Sequence, residues 1–187
     1  FYHSFYDSLE LTAKLFPEMM KEAGRKPLWD IVCGITSKLV DSGLLTKSAI
    51  RDYAPGFITT AKRILEEEKR QLEEGGYGYA DLIRVLGMAG TPETGKLLIR
   101  FSKIKNQYIK FRTLISMLEC NMPVDENSIL AMAVSDEFRH DLYDELKRIN
   151  KLKLFPAAFC SQKELGRSKL HEYATEDEYD LNQLVYL

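Results

Sequence analysis

Apolar residues recur along most of this chain at the three-to-four-residue spacing of an α-helix. Leu9, Leu11, Leu15, Phe16 and Met19 or Met20 share one face of a first helix. Pro17 is expected to begin a second segment, because proline suits a first helical turn and not an interior. Gly24 ends this element. Pro27 opens the next, where Leu28, Ile31, Val32, Ile35 and Leu39 form one stripe. Gly43 stops it as a C-terminal cap. A third helix starts near Thr46 or Lys47 and is expected to be interrupted or bent near Pro55. Over 57–74 the pattern is a long, increasingly charged helix, with Glu66, Glu67 and Glu68 preceding Lys69 and Arg70 at helix-favouring spacings.

Gly75, Gly76 and Gly78 then break the pattern. The break at 75–79 reads as a hinge between subdomains or as an ordinary interhelix loop. Tyr77 and Tyr79 lie inside it. Exposed, they make a contact spot; otherwise they pack down on neighbouring helices. Short helices are expected beyond it, over 80–88 and from Pro92 to near Phe101. Another starts at Asn106 or Gln107, with Tyr108, Phe111, Leu114, Ile115 and Leu118 on one face, and Asn121 and Pro123 close it. Asp125 or Asn127 opens a helix over 129–134, and Ser135 or Asp136 caps one running through Ile149. After Pro156 the helical pattern weakens, so 157–187 is expected to be a less regular acidic strap. The closing LNQLVYL reads as a short edge strand or part of that strap.

The fold class expected is all-α, with helices in antiparallel pairs stacked as a short array, in a single domain over 1–187. Two echoes favour an array over a compact bundle. Trp29, Val32, Ile35, Leu39 and Ile50 map at one constant offset onto Tyr108, Phe111, Leu114, Leu118 and Ile129. In the second half, paired short helices recur about every 30–40 residues, the range of two-helix repeats.

Composition adds exclusions. Hydrophobic residues at 45% and charged residues at 29% are ordinary globular values, which argues against wholesale disorder. A net charge of -2 gives no global attraction for nucleic acid or anionic lipid. No apolar run reaches the roughly 18 residues of a membrane span. The three cysteines, Cys33, Cys120 and Cys160, lie far apart with no CxxC, so neither a disulfide framework nor a zinc site is expected from them, and one disulfide plus one free thiol stays open. Cys33 and Cys120 fall in apolar helical patterns and read as small core residues. The chain opens on Phe1, which points to trimming of a signal peptide or an upstream domain.

Three constellations carry candidate chemistry. Gly90-Thr-Pro-Glu-Thr-Gly95-Lys96 fits GxxxxGK, the loop whose amides cradle phosphates. However, Leu97 stands where a magnesium-binding hydroxyl belongs, Pro92 removes a donor and Glu93 adds negative charge. The preferred reading is a helix start, with Gly90 ending one helix and Thr91 capping the next. Asp136, His140 and Asp144 lie at i, i+4 and i+8 and can share one helix face, a spacing that can chelate a metal. Their charged neighbours favour a solvated, salt-bridged face with Asp136 as a cap, so no metal and no cofactor is expected. From Thr94 to Leu118 there are six basic residues, Lys96, Arg100, Lys103, Lys105, Lys110 and Arg112, and no acid, with Phe101, Tyr108 and Phe111 interleaved. Such a run tracks a polyanion or forms a solvated helical face. No GxSxG or comparable nucleophile setting occurs, and the sequence pattern by itself assigns no role to His3 or His171. The acidic end, with Glu172, Glu176, Asp177, Glu178 and Asp180 around Tyr173 and Tyr179, is either a solvated tail or a strap over the basic run.

The segments GTPETGKLLIRFSKIKNQYIKFRTLISMLECNMPVDE and AVSDEFRHDLYDELKRINKLKLFP resemble HEAT-type helical repeats. The likeness rests on GTPET leading into a helix, the short polar turn KIKNQ and a second amphipathic helix. It covers roughly residues 80–156, with fainter echoes in 9–50. The usual proline and Asp/Arg placements of such repeats are not present in every unit. LYDELKRINKLKLFP with SQKEL and EDEYD is also similar to C-terminal helical regions that follow TraB/GumN-type domains in some bacterial envelope proteins. The catalytic signatures of that family are absent, so no catalytic residue carries over. These resemblances imply a stacked helical scaffold and lean the localisation towards the cell envelope.

The expected function is therefore a non-enzymatic protein-interaction or scaffold module that contacts a protein partner through Lys103, Lys105, Tyr108 and Arg112. Two alternatives stand beside it. One is nucleic-acid or polyanion binding through the same basic stretch, residues 96–112. The other is an accessory domain of a larger envelope hydrolase.

Overall fold

The computed structural model describes residues 8–22 and 29–175. Among them are ten α-helices and no strand. In chain order they are α1 (Leu9–Glu22), α2 (Trp29–Asp41), α3 (Lys47–Glu67), α4 (Lys69–Glu74), α5 (Ala80–Ala89), α6 (Pro92–Phe101), α7 (Gln107–Glu119), α8 (Glu126–Val134), α9 (Arg139–Arg148) and α10 (Gln162–Thr175). Short 3₁₀ turns occupy Tyr77–Tyr79, Leu152–Leu154 and Ala157–Phe159. The all-α expectation holds. The readings of Gly24, Pro27, LNQLVYL and the acids beyond 175 lie outside the described residues.

Two breaks fall elsewhere than expected. Pro55 lies inside α3, and Pro17 lies inside α1. Each proline removes one backbone donor, but each sits in a packed helix. Phe16 is buried and meets Tyr53 of α3 edge-on at 5.4 Å, while Ala54, Phe57 and Ile58 are buried around Pro55. The packing of these faces keeps the helices continuous. The 57–74 stretch is instead divided at Glu68, whose carboxylate takes a hydrogen bond from Arg63 and another from the Tyr79 hydroxyl.

The described residues divide after Pro123 into two compact units, α1–α7 and α8–α10. The glycine break at 75–79 lies inside the first unit and joins α4 to α5. That unit is organised around α5, in which every residue from Leu82 to Ala89 is buried. Helices α2, α3, α6 and α7 all pack on it. Helices α2 and α7 both pack on α5, and of the matched positions within them Val32, Ile35, Leu39 and Phe111, Leu114, Leu118 are buried. Arg84 of α5 is buried too, and its guanidinium holds both oxygens of Asp41 at the end of α2, at 2.8 and 2.5 Å. Beyond α2, Gly43 adopts φ +74, and the Leu44 and Leu45 amides return to the Leu39 carbonyl, a glycine-dependent helix stop.

The second unit is built on Arg139, which is wholly buried at the start of α9. Its guanidinium donates to the carbonyls of Ala133 (2.7 Å), Val134 (2.8 Å) and Glu164 (3.1 Å) and to the Asp136 carboxylate (2.5 Å), and lies 5.3 Å from the Phe159 ring centre. This changes two expectations. Asp136 does not cap α9, because its carboxylate is drawn to Arg139 and Arg167. The segment after Pro156 is not irregular throughout, because α10 forms there. Its inner side lacks an apolar stripe. It is held by Ser168, 2% exposed, whose hydroxyl donates to the Asp136 carbonyl at 2.6 Å and accepts from the His140 amide at 3.0 Å.

All three cysteines are free: Cys33 is buried, Cys120 half-buried and Cys160 exposed. Burial pushes the Cys33 thiol well above its ordinary value, with Asp81 and Asp30 adding to the effect.

Candidate interaction surface

The four residues expected to contact a partner gather around the start of α7. Lys103 and Lys105 are exposed in the link between α6 and α7, and Tyr108 and Arg112 are half-buried one turn apart on α7. Asn106 organises this corner. Its Oδ1 caps α7 by accepting from the Ile109 amide at 3.0 Å, and its Nδ2 donates to the Glu73 carbonyl at 3.3 Å. The second bond ties the end of α4, just before the glycine break, to the start of α7. It requires glycine at 76, where φ is +56 and a Cβ would sit 3.0 Å from Asn106 Oδ1.

The break in turn delivers Tyr77. This side chain is 70% exposed, and its ring lies 4.4 Å from that of Tyr108, tilted by 37°. Both tyrosines stand out in the sequence, but nothing along the chain joins them. The signal available was the run of glycines beside an asparagine-capped helix, which carries no distance information. The two interleaved phenylalanines do not contribute, because Phe101 and Phe111 are both buried. Of the six basic residues, Lys96, Arg100, Lys103 and Lys105 are exposed, while Lys110 and Arg112 are half-buried.

Tyr79 has the opposite fate from Tyr77. Its ring stacks on Trp29 at 5.9 Å with 16° between planes, and its hydroxyl donates to Glu68 Oε2 at 2.9 Å. Burial, the Glu68 hydrogen bond and the Glu68 charge push its phenol up to about 12.

The GxxxxGK match is a helix start. Thr91 and Thr94 form a reciprocal capping pair, Pro92 takes the first turn, and the preceding residues are helix α5 rather than a strand. Glu93 is paired with Lys62 at 2.5 Å. A largely apolar cleft of about 350 Å³ beside it is lined by Thr91, Gly95, Lys96, Ile99, Cys120 and Met122 among others.

Asp136, His140 and Asp144 do not converge as a set of three. Asp136 is engaged by Arg167 and Arg139, whose hydrogen bonds hold its carboxyl below the usual range. Asp144 approaches His140 Nδ1 at 3.7 Å. No helix among the described residues is long and apolar enough to cross a membrane. Comparison with protein-family models, curated proteins and solved structures gave no match.

Proposed function

We propose that this chain is a non-enzymatic protein-interaction module, and that its contact surface is the Tyr77–Tyr108 pair framed by Lys103, Lys105 and Arg112. The observation that carries this reading is the exposed ring of Tyr77 packed, tilted, against Tyr108 at 4.4 Å. An exposed tyrosine held by a neighbouring ring offers large apolar area at little entropic cost, the character of an interface anchor. The partner chemistry follows from charge. Over 94–118 every charged residue is basic, so the complementary surface is an acidic segment of a protein that presents an apolar side chain to the tyrosines. The scaffold we propose is a HEAT-like stack of antiparallel helix pairs. Short links such as Ser102–Asn106 between α6 and α7 and the shared packing of α2 and α7 on α5 support it.

The test is capture from source-cell extract, with and without nuclease, by the chain and by two variants, Tyr77→Ala and Lys103→Glu/Lys105→Glu. A nuclease-resistant, stoichiometric protein partner, lost or weakened about tenfold in both variants, is expected. Capture that neither variant alters removes this surface from consideration. The absence of acids over 94–118 also favours a second reading, polyanion binding by the same stretch. It differs in requiring nuclease-sensitive capture, competition by heparin and a steep fall with salt.

A further inference from the structure

The second unit brings one histidine and two carboxylates together. Ligand atoms of His140, Asp141 and Glu172 all lie within 4.8 Å of one another. The first two come from the start of α9 and the third from the end of α10. Their backbones are fixed against each other by Ser168, through the His140 amide, and by Arg139, through the Glu164 carbonyl. The side chains therefore project from a helix pair that is already tied, as a binding constellation requires.

The charges in this cluster are poorly balanced. The carboxylates of Asp141 and Glu172 face each other within that 4.8 Å, and a third carboxylate, Asp144, stands beside His140. His140 Nδ1 is enclosed and makes no hydrogen bond, with the Asp144 carboxylate 3.7 Å away. The countering cation is Lys169, which donates to Glu172 Oε2 at 2.6 Å and also sits 5.3 Å from the Tyr173 ring centre.

We propose that His140, Asp141 and Glu172 bind a divalent zinc-class cation, with water completing its coordination. The imidazole nitrogen selects a transition metal over magnesium or calcium, which prefer oxygen alone. Zinc takes histidine nitrogen and carboxylate oxygen at about 2.0–2.2 Å, which places tetrahedral ligands roughly 3.4 Å apart. The 4.8 Å span has to close to that spacing by rotation of the three side chains on binding. The metal replaces Lys169 as the charge opposite Glu172, and the ammonium passes to the neighbouring Tyr173 ring.

The experiment is titration of the full chain with cobalt(II), followed by its visible absorption, and displacement by zinc(II). Saturable one-to-one binding with ligand-field bands is expected, displaced by zinc. Glu172→Gln and Asp141→Asn should each weaken it at least tenfold, while amide exchange shows that α9 and α10 remain. Lys169→Ala, which removes the competing cation, should tighten it severalfold. His171→Ala, which removes the neighbouring imidazole outside the cluster, should leave it unchanged. No saturable binding, binding that survives His140→Ala or Glu172→Gln, binding weakened by Lys169→Ala, or binding lost with His171→Ala would overturn the proposal.

Discussion

Gly87 of α5 lies directly against Ser116 of α7: a Cβ at position 87 would sit 2.7 Å from the Ser116 carbonyl oxygen and 2.9 Å from its Cβ. The atoms met are backbone and the root of a side chain, so no rotamer change relieves the clash. Gly87→Ala should therefore force α5 and α7 apart. A loss of about 1–3 kcal/mol is expected, although alanine is the better helix former. Urea unfolding followed by Trp29 fluorescence measures it. Unchanged stability would mean that the two helices are not in this contact.

The second unit should depend on Arg139. Truncation to Ala leaves the Ala133, Val134 and Glu164 carbonyls without their donor, and the Asp136 carboxylate without one of its two arginines. A cost of about 3–5 kcal/mol is expected. Lysine cannot reproduce the fork and should recover only a minor part. Amide exchange across α9 and α10 reads this directly, including the Ser168-bound His140 amide.

Acid should loosen the same unit. The Arg167 hydrogen bond, and next the Arg139 hydrogen bond, depress the Asp136 carboxyl. A depressed acid stabilises the fold fully above its unfolded pKa of about 3.9, and that contribution is lost as pH falls through the lower folded value. Exchange of the His140 amide should accelerate in that acid window. Asp136→Asn should show weaker protection at neutral pH and no such acid step.

At the alkaline end, Tyr79 should report through Trp29. Its phenol is raised to about 12, so the stabilisation is complete below the ordinary tyrosine value near 10 and is lost as pH rises through about 12. Tyrosinate stacked on the chain's single tryptophan should quench its fluorescence. The expected quenching midpoint is close to 12, moving towards 10 in Glu68→Gln. A midpoint near 10 in the unmodified chain would show that the Glu68 bond does not form in solution.

Gly76→Ala should test how the tyrosine pair is assembled. Alanine at φ +56 and 3.0 Å from Asn106 Oδ1 is strained twice, at about 1–3 kcal/mol. Asn106 should lose its bond to Glu73, and Tyr77 its place on Tyr108. The α5 core should remain. Nuclear Overhauser contacts between the two rings should disappear while those within α5 persist.

Much of the helix plan was legible in the residues, and the reasons are local. Pro92 to Phe101 was readable because Thr91 and Pro92 are a cap and a first turn wherever they occur together. Thr46 and Asn106 marked their helix starts in the same way, and Gly43 and Gly90 their stops. Where local signals met packing, packing won. Pro55 and Pro17 stayed inside helices because the buried faces beside them outweigh one missing bond. Helix α10 escaped notice because a serine bridge, not an apolar stripe, fixes its inner side.

The candidate sites divide along the same line. Periodicity and capping chemistry repeat every few residues, so the sequence by itself determined the all-α class, most helix boundaries among the described residues and a basic stretch at the start of α7. Only the tertiary structure decided that Tyr77 meets Tyr108, that Arg139 is wholly buried, and that Glu172 joins His140 and Asp141. Each of these joins residues from separate elements. Such pairings depend on how helices cross and which side of each faces in, information that is carried by packing and not by spacing along the chain.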